Sequence, residues 1–320
     1  METKAPRLSV VIPLFNEAAS LTELHQQLVA GLQELGEDTE IIFINDGSDD
    51  GSQQELETLA TQDQRIRIVE FQKNFGKSAA LSVGFAAARG ELVVTLDADL
   101  QDDPREIPAL VAKIMEGYDL VSGWKKKRRD PLSKKIPSRI YNFITALLSG
   151  VKIHDINCGL KIYRCAVAKH LHPYGEMHRY LPVMAHLAGF RIGELPVNHR
   201  LRKYGKTKFG FSRFTGGFFD LITLMFLTRY MKKPLHLFGS LGLLSFFAGL
   251  AISTYLTIQR LFGVWIANRP LFFLGILLLI VGGQFISLGL LGEMITESQK
   301  TRQDYAIRKL VGLTPTDLQS

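Results

Sequence analysis

Cysteine is scarce: two residues in 320, Cys158 and Cys165, with six residues between them. That excludes a disulfide framework and a thiolate metal site, and both read as reduced thiols of a cytoplasmic domain. No Gly-x-Gly-x-x-Gly follows the first apolar run, so a dinucleotide-binding Rossmann site is unsupported. A secretory signal is also missing: Leu8–Leu14 is too short and leads straight into Asn16-Glu17. There are no internal repeats and no low-complexity segment.

Formal charge is scarce locally. Leu235 to Ile258 is about 24 residues without Lys, Arg, Asp or Glu, and Leu271 to Gly292 is about 22 more. As helices each spans roughly 33–36 Å, enough for a bilayer core of about 30 Å. A soluble hairpin would need a large partner to hide two helices that are apolar all round. These runs raise the mean hydropathy to +0.09. With no charge inside two spans there is no ion pathway, which removes a transporter.

The charge that is present is placed asymmetrically. Arg229, Lys232 and Lys233 precede the first run; Lys300, Arg302, Arg308 and Lys309 follow the second; the loop between has only Arg260 and Arg269, with Trp265 at the expected interface. The positive-inside rule then puts both termini in the cytoplasm, with the spans in the inner (plasma) membrane. The net charge of +7 flanks apolar segments, so it suits anionic lipid rather than nucleic acid.

The first half alternates apolar strand runs with helical spacing. Strands are expected at Leu8–Leu14, Glu40–Asn45, Ile66–Phe71, Leu92–Leu96 and Asp119–Ser122, with helices at Leu21–Leu35, Gly76–Arg89 and Ile107–Met115. That alternation predicts an α/β fold with a mostly parallel, doubly wound sheet. From Lys125 the character changes. Lys125-Lys126-Lys127-Arg128-Arg129 leads into a stripe of Ile136, Ile140, Phe143, Ile144, Leu147 and Leu148. That stripe suits a helix lying in a membrane interface, or an ordinary core-facing helix. The expected layout is a catalytic domain over 1–208, containing an interfacial helix at about 133–149. A juxtamembrane interfacial helix over 209–233, two transmembrane helices over 234–292 and a cytoplasmic tail over 293–320 follow.

The chemistry concentrates at strand ends. Leu92–Leu96 runs out into Asp97-Ala98-Asp99-Leu100-Gln101-Asp102-Asp103-Pro104. Clustered carboxylates repel one another unless a cation is present, and hard oxygen ligands suit Mg²⁺ or Mn²⁺ completed by substrate phosphates. Open α/β sheets bind ligands at the carboxyl ends of their strands. Three further loops belong to that edge: Pro13-Leu14-Phe15-Asn16-Glu17, Asn45-Asp46-Gly47-Ser48 and Asn74-Phe75-Gly76-Lys77.

In this order these motifs resemble glycosyltransferase family 2, inverting nucleotide-sugar enzymes of the GT-A (Rossmann-like) fold. The resemblance covers roughly residues 7–215 and is strongest to the polyprenyl-phosphate transferases, including dolichol-phosphate mannose synthases and bacterial bactoprenol glucosyltransferases. It implies that Pro13, Phe15 and Glu17 line the nucleotide pocket, that Asp46 bonds the base and that Lys77 approaches the nucleotide. It implies that Asp97 faces the ribose or a metal-bound water, Asp99 binds the metal and Gln101 shapes the sugar pocket. Arg200, Arg202 and Lys208 lie in a segment similar to the family's phosphate-gripping Arg-x-x-Gly-x-Ser-Lys, with Thr207 in place of Ser. They would hold either the acceptor's phosphate or the donor's. Asp155 matches a loop carrying a base-like carboxylate; a phosphate nucleophile is already anionic, so it acts there or orients the acceptor.

The resemblance thus implies transfer of a hexose, glucose from UDP-glucose first, onto undecaprenyl phosphate at the cytoplasmic membrane face. Mannose, galactose, GlcNAc or an aminoarabinose derivative are the alternative donors. The expected partners are a nucleotide sugar, a polyprenyl phosphate, the bilayer and a second copy through the membrane helices. A processive polysaccharide synthase would carry Gln-x-x-Arg-Trp, which precedes neither Trp124 nor Trp265. A non-catalytic nucleotide-binding scaffold would not need the intact carboxylate set.

Overall fold

The computed structural model describes residues 6–35, 38–126, 145–146, 149–200, 203, 234–265 and 269–298. The chain divides into a sheet unit within Met1–Asp220 and a helical unit within Leu221–Asp304.

The sheet unit is built on β1 (Leu8–Leu14), a β-branched run buried along its whole length. It pairs in parallel with β2 (Thr39–Asn45) on one side and β4 (Leu92–Thr95) on the other. Beyond β2 lies β3 (Ile66–Glu70), also parallel. Past β4 come β6 (Lys161–Arg164), β5 (Leu120–Trp124) and β7 (Ile192–Pro196), giving the order β3-β2-β1-β4-β6-β5-β7. Within this order β6 alone runs against its neighbours. The mostly parallel expectation therefore holds, with one reversed strand that the sequence pattern did not reveal.

Strand alternation divides the core into two layers. Val10, Ile12 and Leu14 face α1 (Ala18–Leu32), α2 (Ser52–Gln62) and α4 (Ile107–Met115). Val11, Ile42 and Ile44 face α3 (Lys77–Ala87), α5 (Cys165–His170) and α6 (Leu181–Leu187). In α1 the residues Leu21, Leu24, Leu28 and Leu32 recur at helical spacing and are all buried. The helix α2 escaped the sequence reading because few apolar residues mark it; Leu56 and Leu59 are its buried leucines. Because β1, β2, β4, β5 and β7 run the same way, their carboxyl ends share one edge, and β6 begins there.

The helical unit is a hairpin of α7 (Pro234–Leu261) and α8 (Pro270–Ser298). It is zipped by close backbone approach: a Cβ on Gly282 would meet Gly242 O at 2.8 Å, and one on Gly249 would meet Gly275 O at 2.8 Å. Ser245 Oγ donates to Leu278 O at 2.9 Å across the same seam. At the open end, Leu235 N donates to Glu293 Oε2 at 3.5 Å, giving the start of α7 an acceptor for one of its unpaired N–H groups. In the most apolar windows of the two helices only 17% and 11% of residues are buried, at mean hydropathies of 1.8 and 2.4. Faces this apolar and this exposed suit lipid rather than a soluble core. The expected interfacial helix at 133–149 falls almost wholly outside the described residues, as does the segment 209–233.

Candidate active site

The site is built where β1, β2, β4 and β5 end. After β1, Pro13 is buried within the strand end and Phe15 and Glu17 are half-buried. Asn16 takes a left-handed φ of 57°. Its side-chain amide donates to Asp49 Oδ1 (2.7 Å) and its oxygen accepts Asp49 N–H (3.0 Å), tying the first loop to the second. Asn tolerates this backbone region because its short amide bonds locally.

After β2, Asp46 is buried and accepts two backbone N–H bonds, from Phe75 at 2.7 Å and Gly76 at 2.9 Å. Both carboxylate oxygens thus hold the loop that delivers Lys77. Gly47 permits the approach: at φ +69° a Cβ would sit 2.5 Å from the Lys73 carbonyl carbon.

After β4, the Lys77 ammonium donates to Asp97 Oδ1 at 2.5 Å. Burial works to raise the Asp97 carboxyl, but Lys77, with Lys125 and Lys161 beyond, overrides it and holds the group at about 2. Asp99 accepts Gln101 N–H at 3.1 Å. Between them Leu100 takes a φ of 60°, a strained conformation for a bulky residue.

The other two acids of the cluster are neutralised within the protein. Asp102 is fully buried, 2.9 Å from the Lys125 ammonium. Burial works against the Lys125 charge, and Asp102 outweighs it, raising that group above its usual range. Lys125, the first of five successive basic residues, is thus turned inward. Asp103 accepts Arg105 N–H at 3.1 Å and pairs with Arg200. The Arg200 guanidinium also donates to Gln27 Oε1 at 2.6 Å, so it is engaged with the protein itself. Arg202 and Lys208 lie outside the described residues.

Gly159 joins the two halves of this network. A Cβ there would meet Asp97 Oδ2 at 2.6 Å and Asp102 Oδ2 at 2.7 Å. Only a glycine lets both carboxylates close on the segment leading into β6. Nearby, burial pushes the Cys158 thiol up to about 12, with Asp102 adding to it, so the thiol stays protonated and inert. Burial also lowers the Lys161 ammonium, whose Nζ donates to Cys158 O.

Asp155 is buried in the loop before Gly159, its backbone bonded by Glu194 and Ser122. His178 is a further neighbour of Lys77. Its N–H donates to Ser78 Oγ at 3.0 Å, beside Lys77, and its Nδ1 lies 3.1 Å from the same oxygen. Burial, with Lys77 and Arg179 adding, drops its imidazole to about 3, so it is neutral. No sequence motif marks His178; the contact spans 100 positions.

Among the described residues no three His, Cys, Asp or Glu side chains gather as a metal cluster. Asp97 and Asp99 are two carboxylates at one strand end, the donor set of a hard cation that is completed by water and substrate phosphate. The residues therefore fit such an ion with a phosphorylated ligand in place.

The fold is of the GT-A glycosyltransferase type. Glucosyl-3-phosphoglycerate synthase from Mycobacterium tuberculosis, solved with Mn²⁺, UDP and product, superposes with a TM-score of 0.52 at 18% identity, covering 70% of this chain and 80% of that one. A mannosyltransferase from Pyrobaculum calidifontis, solved with GDP-mannose and Mn²⁺, gives 0.51 at 16% identity, covering 93% and 76%. Residues 9–171 match Glycosyl transferase family 2, and the chain belongs to that family. Dodecaprenyl-phosphate galacturonate synthase of Rhizobium johnstonii is 38% identical over 95% of this chain and 92% of its own length. Undecaprenyl-phosphate 4-deoxy-4-formamido-L-arabinose transferase of Proteus mirabilis is 34% identical over 97% and 95%.

Proposed function

We propose that this protein transfers a sugar from a nucleotide sugar to the phosphate of a polyprenyl phosphate, as an enzyme of the inner membrane. One observation carries the reading: relatives named for that reaction align along 95% and 97% of this chain. The sugars in their names are galacturonate and a formamido-arabinose, so glucose gives way to an acidic or 4-deoxy-4-formamido sugar on UDP.

The chain's own residues suit the parts. Asp46 holds the 75–76 backbone and so presents Lys77 to the donor diphosphate. Asp97 and Asp99 would hold Mg²⁺ or Mn²⁺. Such an ion, when bound, neutralises charge on the departing diphosphate. Gln101 and the turn at Leu100 shape the floor next to the sugar. Arg202 and Lys208 are the proposed grip on the acceptor phosphate, with Arg200 fixing the start of their segment through Asp103. Asp155 orients that phosphate or the sugar for in-line attack on the anomeric carbon, which inverts its configuration. Pro13, Phe15 and Glu17 form the base side of the pocket.

The test is mass spectrometry of undecaprenyl phosphate incubated with the protein and UDP-galacturonate, UDP-4-deoxy-4-formamido-L-arabinose or UDP-glucose. A lipid product from either of the first two is expected. Asp99→Ala should abolish it and the Mn²⁺ dependence of UDP binding. No product from any donor, or full activity of Asp99→Ala in EDTA, would sink the reading.

A further inference from the structure

Glu194 sits on β7 directly opposite Ser122 of β5. Its Oε1 accepts two adjacent backbone N–H groups, those of His154 and Asp155, each at 2.9 Å. Its Oε2 lies 2.7 Å from His154 Nδ1. Its cross-strand partner Ser122 donates through Oγ to the Asp155 carbonyl at 3.3 Å. The N–H and the C=O of Asp155 are therefore held by the two members of one strand pair.

The stretch from 151 to 158 forms no strand, so its backbone groups have no sheet ladder to satisfy them. A carboxylate fills that need better than a neutral acceptor, because charge-assisted bonds are about twice as strong. The His154 ring, kept in plane by Glu194, stacks on Trp124 at 4.2 Å and 14°. Asp155 itself is 1% exposed, so with its backbone pinned only its side-chain torsions remain.

We infer that Glu194 is a positioning residue: by clamping the Asp155 backbone across the β5–β7 pair, it sets where the Asp155 carboxylate stands. This rests on the reading that Asp155 acts on the acceptor or sugar. A carboxylate displaced by even 1 Å loses much of its catalytic value.

The experiment uses the full chain in lipid nanodiscs. It measures UDP affinity by calorimetry and transfer to undecaprenyl phosphate from whichever donor of the panel turns over. Glu194→Ala should lower kcat by about tenfold or more while UDP affinity stays within about twofold. Glu194→Gln keeps an oxygen for both N–H groups and should restore kcat to within about threefold. Adding Glu194→Ala to Asp155→Asn should cost no more than about a further twofold, because the two act as a unit. Losses that multiply, a Gln variant as poor as Ala, or UDP affinity falling together with kcat would each overturn the clamp. Full activity of Asp155→Asn alone would overturn the underlying role of Asp155 instead.

Discussion

Lys77 and Asp97 form an ion pair of 2.5 Å between the first residue of α3 and the end of β4, each side chain about one-third exposed. Both partners can therefore be reached from solvent. If Lys77 and Asp97 have the proposed roles, a diphosphate would compete with Asp97 for the ammonium, and a cation would compete with Lys77 for the carboxylate.

Lys77→Met is therefore expected to move two affinities in opposite directions. Mn²⁺ binding without nucleotide, read by water-proton relaxation, should tighten. UDP binding should weaken by about 1.5–3 kcal/mol, the scale of a hydrogen bond to a charged group. Both affinities moving the same way would remove the competition.

Gly159→Ala places a methyl 2.6 Å from Asp97 Cγ and 2.7 Å from Asp102 Oδ2. Overpacking of this kind costs about 1–3 kcal/mol. Turnover should fall further than stability does, since the carboxylate displaced is Asp97. Urea denaturation beside initial rates compares the two; an active, destabilised variant would contradict the geometry.

His178 offers a pH test. Its folded value of about 3 lies below the ordinary 6.5, so the unfolded chain binds a proton that the folded one excludes. Stability should therefore rise with pH between those values and be insensitive to this group above them. The slope contributed is at most about 1.4 kcal/mol per pH unit. His178→Asn should flatten the curve of Tm against pH from 4 to 6.5; an unchanged slope assigns the acid sensitivity elsewhere.

Gly282 and Gly283 are neighbours in α8 with opposite surroundings. A Cβ on Gly282 would meet Phe246 N at 2.6 Å, while one on Gly283 meets nothing within 4 Å. Gly282→Ala should loosen the hairpin, and Gly283→Ala should be neutral or stabilising, since alanine favours helix by about 1 kcal/mol. Thermal unfolding in nanodiscs ranks them; the reverse order would mean a different seam.

We propose the orientation expected from the charges flanking the two helices, which places Val264, in the turn after α7, outside the cytoplasm. With Cys158→Ser and Cys165→Ser as background, Val264→Cys should react with an impermeant maleimide in intact cells. Reaction only after permeabilisation would invert the hairpin.

Strand and helix periods are local properties, so β1, α1 and α4 could be read from Leu8–Leu14, the leucines of α1 and Ile107–Met115. The carboxylates of Asp97 and Asp99, the loops at Asp46 and Lys77 and the two lipid-facing spans were equally legible, because each is written in consecutive residues. The partners of those groups were not. Lys125 reads as one of five successive basic residues, and folding alone turns it onto Asp102. Asp102 and Asp103 read as members of the same acidic run as Asp97 and Asp99, and only the fold sets Lys125 and Arg200 against them. Nothing local in the sequence marks Gly159, around which Asp97 and Asp102 close. Glu194 lies in a strand that the apolar pattern does not announce, and only the register opposite Ser122 brings it to Asp155. The reason is sequence separation: charge pairing and close approach here join residues tens of positions apart, and only the strand order β4-β6-β5-β7 fixes which of them meet.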